Sequence, residues 1–168
     1  MMEQNLANLP PVPAGDAEAL FRTYADMVYR LAFLRTKSSA DADDVLQDVF
    51  LRCIKRQPVW NDRAHQKAWF LTVTVNCSKT LLTSAWRRHT VPQDDNLLTE
   101  MQEDTGVYAE VLKLPEKFRT VVHLFYYEGY QVSEIAAIMG IPENTVKSHL
   151  FRARDMLRRQ LKGAYQDV

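Results

Sequence analysis

Asn144, Lys147, Ser148, Phe151, Arg152, Arg158 and Arg159 recur at steps that place them on one face of a helix. An ammonium, an amide, a hydroxyl and a guanidinium on one face form a set of hydrogen-bond donors matched to base edges. Lys147 or Arg152 can donate to guanine O6 and N7, and Arg158 and Arg159 suit phosphate oxygens. Phe151 is the apolar member, suited to a thymine methyl or a sugar. Val146, Leu150, Ala153, Leu157 and Leu161 form the opposite stripe, which a protein core would bury. A helix built this way fits a major groove about 12 Å wide.

The residues before it supply the means of holding it. In QVSEIAAIMGIPENTVKSHLFRARDMLRRQL a helix is predicted over Val132–Met139, with Gly140 as its left-handed end and Pro142 starting the next helix. The small Ala136 permits a close crossing, and Ile135, Met139, Ile141, Val146 and Leu150 fill the angle. The 136, 140, 146 spacing is that of a helix-turn-helix. An ordinary α-hairpin with a solvated basic face has the same periodicity, and a basic face alone does not separate the two.

Covalent chemistry finds no support. Paired carboxylates, a catalytic triad, a phosphate-binding glycine loop and metal-ligand spacing are all missing, so neither an enzyme nor a bound metal or cofactor is expected. Cys53 and Cys77 lie in apolar helical patterns and are predicted to be buried free thiols. No apolar run approaches the roughly 18 residues of a membrane span, and the N-terminus has no export signal, which predicts a cytoplasmic protein.

The 168 residues carry no net charge, but the charge is unevenly spread. Residues 90–111 hold Asp94, Asp95, Glu100, Glu103, Asp104 and Glu110 without a Lys or Arg. The rest of the chain then has 21 basic against 15 acidic side chains. Two mildly basic lobes joined by an acidic connector follow. The predicted class is all-α: a flexible leader over 1–15, a helical domain over 16–89, an acidic linker over 90–107 and a helix-turn-helix domain over 108–168.

In the first lobe, Asp16 is placed to cap a helix reaching about Arg35, with Leu20, Tyr24, Met27, Val28, Leu31 and Leu34 on its buried face. A second helix buries Val45, Val49 and Cys53 beside Leu46, Phe50 and Ile54, and ends before Pro58. Residues 57–64 read as a loop with Trp60 in polar surroundings. A third helix spans about His65 to Ala85, its Trp69 and Phe70 assigned to the core. In the second lobe, a helix from Pro115 packs through Phe118, Val121, Val122, Phe125 and Tyr126.

DADDVLQDVFLRCIK (41–55) and HQKAWFLTVTVNCSKTLLTSAWRR (65–88) resemble region two of bacterial sigma factors. LPEKFRTVVHLFYYEGYQVSEIAAIMGIPENTVKSHLFRARDML (114–157) resembles region four. The order, the linker and the lack of a third domain between them are similar to the compact extracytoplasmic-function group. The helix-turn-helix alone is also compatible with a stand-alone regulator carrying an N-terminal dimerisation or sensor domain, and a third reading is an all-helical enzyme or scaffold whose basic face is incidental.

The resemblance implies core RNA polymerase and promoter DNA as partners, with an anti-sigma protein as a third. Asp44, Gln47, Asp48 and Arg52 match the face that docks on the clamp helices of the largest subunit, and the flap region holds the other lobe. Trp60, Asn61 and Asp62, with Asn76 and Lys79, match the area that captures an unpaired −10 base; Arg87 and Arg88 match backbone contacts. Asn144, Lys147, Ser148, Phe151, Arg152, Arg158 and Arg159 match the −35 reading surface, and the linker would run through the polymerase.

Overall fold

A computed structural model describes residues 6–88 and 106–166. Seven α-helices form two compact units, and no strand occurs among the described residues. The first unit holds α1 (Ala17–Thr36), α2 (Ser39–Arg56) and α3 (Arg63–Arg88), preceded by a short 3-10 turn at Leu6–Asn8. The second holds α4 (Gly106–Leu112), α5 (Glu116–Val122), α6 (Val132–Met139) and α7 (Glu143–Gln166). The expected all-α class holds.

In the first unit α1 starts where its capping residue demands: Asp16 Oδ1 accepts from the Ala19 amide at 3.1 Å. Leu20, Tyr24, Val28 and Leu31 are buried along its inner stripe, and Tyr24 stacks on Phe70 of α3 at 4.6 Å. Phe50 brings α2 into the same aromatic cluster, 5.3 Å from Phe70. Burying each of these large side chains contributes about 1.5–3 kcal/mol. One expectation fails here. Ile54 stays 49% exposed with Leu51 beside it at 52%, because Val45, Val49 and Cys53 already fill the inner stripe of α2.

The leader is a second departure. Residues 1–15 were expected to be flexible, yet Leu9–Val12 is strapped to the start of α3. Gln66, fully buried, accepts from the Val12 amide at 3.1 Å and donates to the Val12 carbonyl at 2.8 Å. The same Oε1 accepts from the Tyr24 hydroxyl at 2.6 Å. The Arg63 amide donates to the Leu9 carbonyl, and Arg63 Nε donates to the Pro10 carbonyl. Prolines suit such a strap, since they fix φ and spare only backbone donors that would otherwise need partners.

In the second unit, Val111, Leu114, Phe118, Val122 and Ala153 form a core closed by Met156 and Leu157. After Val122 the helix widens into a π-turn over His123–Tyr127, closed by the Glu128 amide on the His123 carbonyl. The extra residue rotates the register. His123 and Leu124 become buried, while Phe125 is half-buried and Tyr126 is 54% exposed. This corrects the assignment of Phe125 and Tyr126 to the packed face, which assumed an unbroken 3.6-residue period.

The turn between α6 and α7 follows from one glycine. Gly140 adopts φ 66° and ψ 37°, and its amide returns to the Ala136 carbonyl. Only glycine enters this left-handed region without cost. Ile135, Ala136, Met139, Val146 and Leu150 are buried around the turn.

Candidate nucleic-acid interface

α7 carries the first candidate surface. Asn144, Lys147, Ser148, Phe151 and Arg152 are all exposed, with Phe151 at 73%. Between them His149 turns inward, edge-on to Phe118 of α5 at 5.4 Å. Burial, then the charges of Lys117 and Arg152, hold the His149 imidazole below its ordinary 6.5, against a smaller opposing effect of Glu116. A neutral, packed imidazole thus anchors the helix while its neighbours face water.

The later basic residues divide. Arg159 is exposed and pairs with Asp155 at 3.1 Å, a contact one turn away that a phosphate can replace. Arg158 borders an apolar groove of about 430 Å³ lined by Val107, Val111, Val122, Tyr126, Leu157 and Leu161. Arg154 was not anticipated. Its Nε donates to the Tyr126 hydroxyl at 2.7 Å, and its guanidinium lies over the Phe125 and Tyr126 rings. The i+4 steps from Leu150 and Arg158 marked this edge of α7, but the exposed tyrosine it pins exists only because of the π-turn.

The residues proposed for an unpaired base are not gathered in one pocket. Asn61 and Asp62 lie in the loop before α3, whereas Asn76 and Lys79 are exposed far along it. The path along α3 from Arg63 to Asn76 is ~20 Å at 1.5 Å per residue. Asp62 also has structural work: its Oδ1 accepts from the His65 amide at 2.8 Å and caps α3. The Asn61 amide donates to His65 Nδ1 at 3.2 Å.

Trp60 departs furthest from expectation. Its polar sequence neighbours predict an exposed side chain, but it is 6% exposed and packed against Trp69 and Phe70. The loop folds it under because an indole buries more apolar surface than any neighbour there. Its N–H is buried without a hydrogen-bond partner. Trp69, assigned to the core, is only half-buried. His65, Trp69, Thr72, Asn76, Lys79 and Thr83 succeed each other at three- and four-residue steps, one continuous face of α3 that extends the expected Asn76 and Lys79 in both directions. Arg87 and Arg88 belong to the last turn of α3, and their side chains lie outside the described residues.

On α2, Asp44 and Gln47 are exposed, while Asp48 and Arg52 are half-buried and pair at 3.3 Å. Exposed Leu51 and Ile54 continue the face of Asp44 and Gln47 at helical spacing. The Asp48 carboxylate also accepts from the Cys77 thiol. Burial, then that bond and the carboxylate charge, push the Cys77 thiol from an ordinary 9.0 up to about 12. Burial alone raises Cys53. Both are free thiols. Among the described residues no group of His, Cys, Asp or Glu could hold a metal ion, and no helix is long and apolar enough to cross a membrane.

Residues 20–88 match the family Sigma-70 region 2, and residues 106–157 match Sigma-70, region 4. The two matches follow one another along the chain, region 2 before region 4. Among curated proteins, the ECF RNA polymerase sigma factor SigM of Mycobacterium tuberculosis is 31% identical over 88% of this chain and 80% of its own length. SigL of the same species is 33% identical over 86% of this chain and 88% of its own. SigW of Bacillus subtilis is 24% identical over 90% and 93%.

Two solved structures share the fold. The sigma factor RpoE in complex with the anti-sigma factor NepR, from Bartonella quintana, gives a TM-score of 0.68 at 20% identity, over 88% of this chain and 97% of that one. CnrH in complex with the cytosolic domain of CnrY gives 0.63 at 21%, over 88% of each chain. The chain belongs to the ECF group of RNA polymerase sigma factors, which direct promoter recognition and transcription initiation. Members of this family are not enzymes in the catalytic sense.

Proposed function

We propose that the chain binds core RNA polymerase in the cytoplasm, reads a −35 element with α7 and holds the melted −10 strand along α3. The observation that carries this reading is the exposed run Asn144, Lys147, Ser148, Phe151 and Arg152 on the second helix of a turn fixed by Gly140. Lys147 and Arg152 donate to base edges; Arg159, and Arg158 from the groove edge, neutralise phosphates. Catalysis stays with the polymerase.

For the −10 strand, the exposed face of α3 offers amide, ammonium and hydroxyl groups, with Trp69 in the place first given to Trp60. Asn61 in the loop and Asn76 and Lys79 on α3 then serve successive nucleotides rather than one pocket, with Arg87 and Arg88 toward the backbone. Base stacking on such a platform is worth about 1–3 kcal/mol per base. Asp62 acts as the cap that fixes the loop.

Asp44, Gln47 and the apolar pair Leu51 and Ile54 form the docking face for the clamp helices, with the Asp48–Arg52 pair at its edge. The apolar groove between α4, α5 and α7 suits the flap region, with Arg154 and Arg158 at its rim. An anti-sigma protein is the expected antagonist, as the neighbours RpoE and CnrH were solved with such partners or a partner's cytosolic domain.

Two small DNA footprints bind weakly alone and tightly when the polymerase holds them in register, which raises their effective concentration. A gel shift with and without core polymerase tests this. Promoter-specific retardation only in the presence of polymerase is expected; tight specific binding by the free chain as a stable dimer would point instead to a stand-alone regulator.

A further inference from the structure

We propose that the strap Leu9–Val12, locked by Gln66, positions the Asn61 loop for strand capture, so that the leader is a working part of promoter opening. The inference rests on the reading of that loop as part of the −10 surface.

The strap touches α3 within its first turn. Arg63, next to the loop, gives its amide to the Leu9 carbonyl at 3.0 Å and its Nε to the Pro10 carbonyl at 3.2 Å. One residue pair further on, the Gln66 amide holds Val12 by both its donor and its acceptor, as a paired strand would. Gln66 is fully buried and Val12 nearly so, so these bonds are shielded from competing water.

The loop has few other ties. Asn61 and Asp62 are held through His65, in the first turn of α3. The end of the loop is therefore fixed from two sides, by Trp60 packed inward and by the strap across Arg63 and Gln66. A residue that must meet an unpaired base gains from such fixing, because ordering costs are met before the strand arrives. Gln66 touches no DNA in this scheme; it acts through Val12 and Arg63.

The test uses the chain in complex with core polymerase. Fork-junction DNA is first selected from a randomised pool by the wild-type holoenzyme. Its affinity is then measured for a chain lacking residues 1–12, for Gln66→Met, for Asn61→Ala, and for the truncation combined with Asn61→Ala. Truncation leaves Gln66 open to water, so it is the better tolerated variant; Gln66→Met strands Val12 and the Tyr24 hydroxyl. Polymerase affinity and thermal melting are recorded for each, with hydrogen exchange across residues 57–66.

The truncated chain is expected to bind the fork about three- to tenfold more weakly, with polymerase affinity unchanged and faster exchange at Arg63 and its neighbours. On Asn61→Ala it should add little further loss, because both act through the same loop. A loss that adds in full, or one matched by lost polymerase affinity, overturns the proposal. Loss with Asn61→Ala but none on truncation overturns the strap alone. No loss in either overturns the reading of the loop, and the strap with it.

Discussion

Trp60 meets Trp69 edge to face, their ring centroids 5.7 Å apart, and the two indoles divide the work of support and exposure. Trp60 is buried under the loop, whereas Trp69 keeps part of its surface on the outer face of α3. Removing either therefore has different consequences. Trp60→Ala should cost about 3–5 kcal/mol of stability, read as a lowered denaturation midpoint. Trp69→Ala should leave most of the stability and weaken single-stranded −10 binding by about 1–3 kcal/mol. Equal effects of the two on strand affinity, measured well below melting, would undo the division.

The exposed stripe of α7 predicts separable losses. Lys147→Ala and Arg152→Ala should each remove about 1–3 kcal/mol of discrimination at one base pair of the −35 element. Arg159→Ala should weaken binding evenly across sequences and reduce its salt dependence. Affinities of the holoenzyme for a panel of −35 variants, at two salt concentrations, check both.

Gly140 adopts its left-handed conformation in open space, with nothing within 4 Å of where a Cβ would stand. The cost of Gly140→Ala is then purely conformational, about 1–2 kcal/mol, and Gly140→Asn should cost less. Chemical denaturation of the three proteins measures the order. If alanine proves as stable as glycine, the turn does not depend on that conformation.

Cys77 makes a prediction about pH. Its folded thiol keeps its proton up to about 12 while the unfolded chain ionises near 9.0. Deprotonation therefore favours the unfolded state throughout that window, and stability falls as pH rises from 9.0 toward 12. Denaturant midpoints compared between about pH 8 and about pH 10 should drop more for the wild type than for Cys77→Ala. At neutral pH neither Cys77 nor Cys53 should react with a thiol reagent until the protein unfolds, since both thiols are buried and shifted upward.

Several of these features were legible in the sequence and others were not, for physical reasons. Gly140, Pro142 and the stripe from Val146 to Ala153 announce the helix-turn-helix, because turn chemistry and helical period are local properties. Asp16 announces α1 in the same way. Trp60 misled because its sequence neighbours are polar, while its actual neighbours, Trp69 and Phe70, come from the next helix. Tyr126 misled because a π-turn changes the period without any residue that signals it. The strap was hidden by its prolines, which read as flexible until Gln66 supplies a buried partner more than fifty residues away. Contacts that depend on tertiary partners leave no periodic trace.

Run-off transcription with purified core polymerase, on a template carrying a promoter selected by the holoenzyme, tests whether this chain directs initiation. A discrete transcript is expected that requires this chain, starts downstream of two dissimilar elements, and disappears when either element is scrambled. Less open complex is also expected with Asn76→Ala, and lost −35 dependence when Lys147→Ala and Arg152→Ala are combined. A chain that fails to direct initiation, or that acts only as a dimer on a palindromic site, would contradict the proposed function.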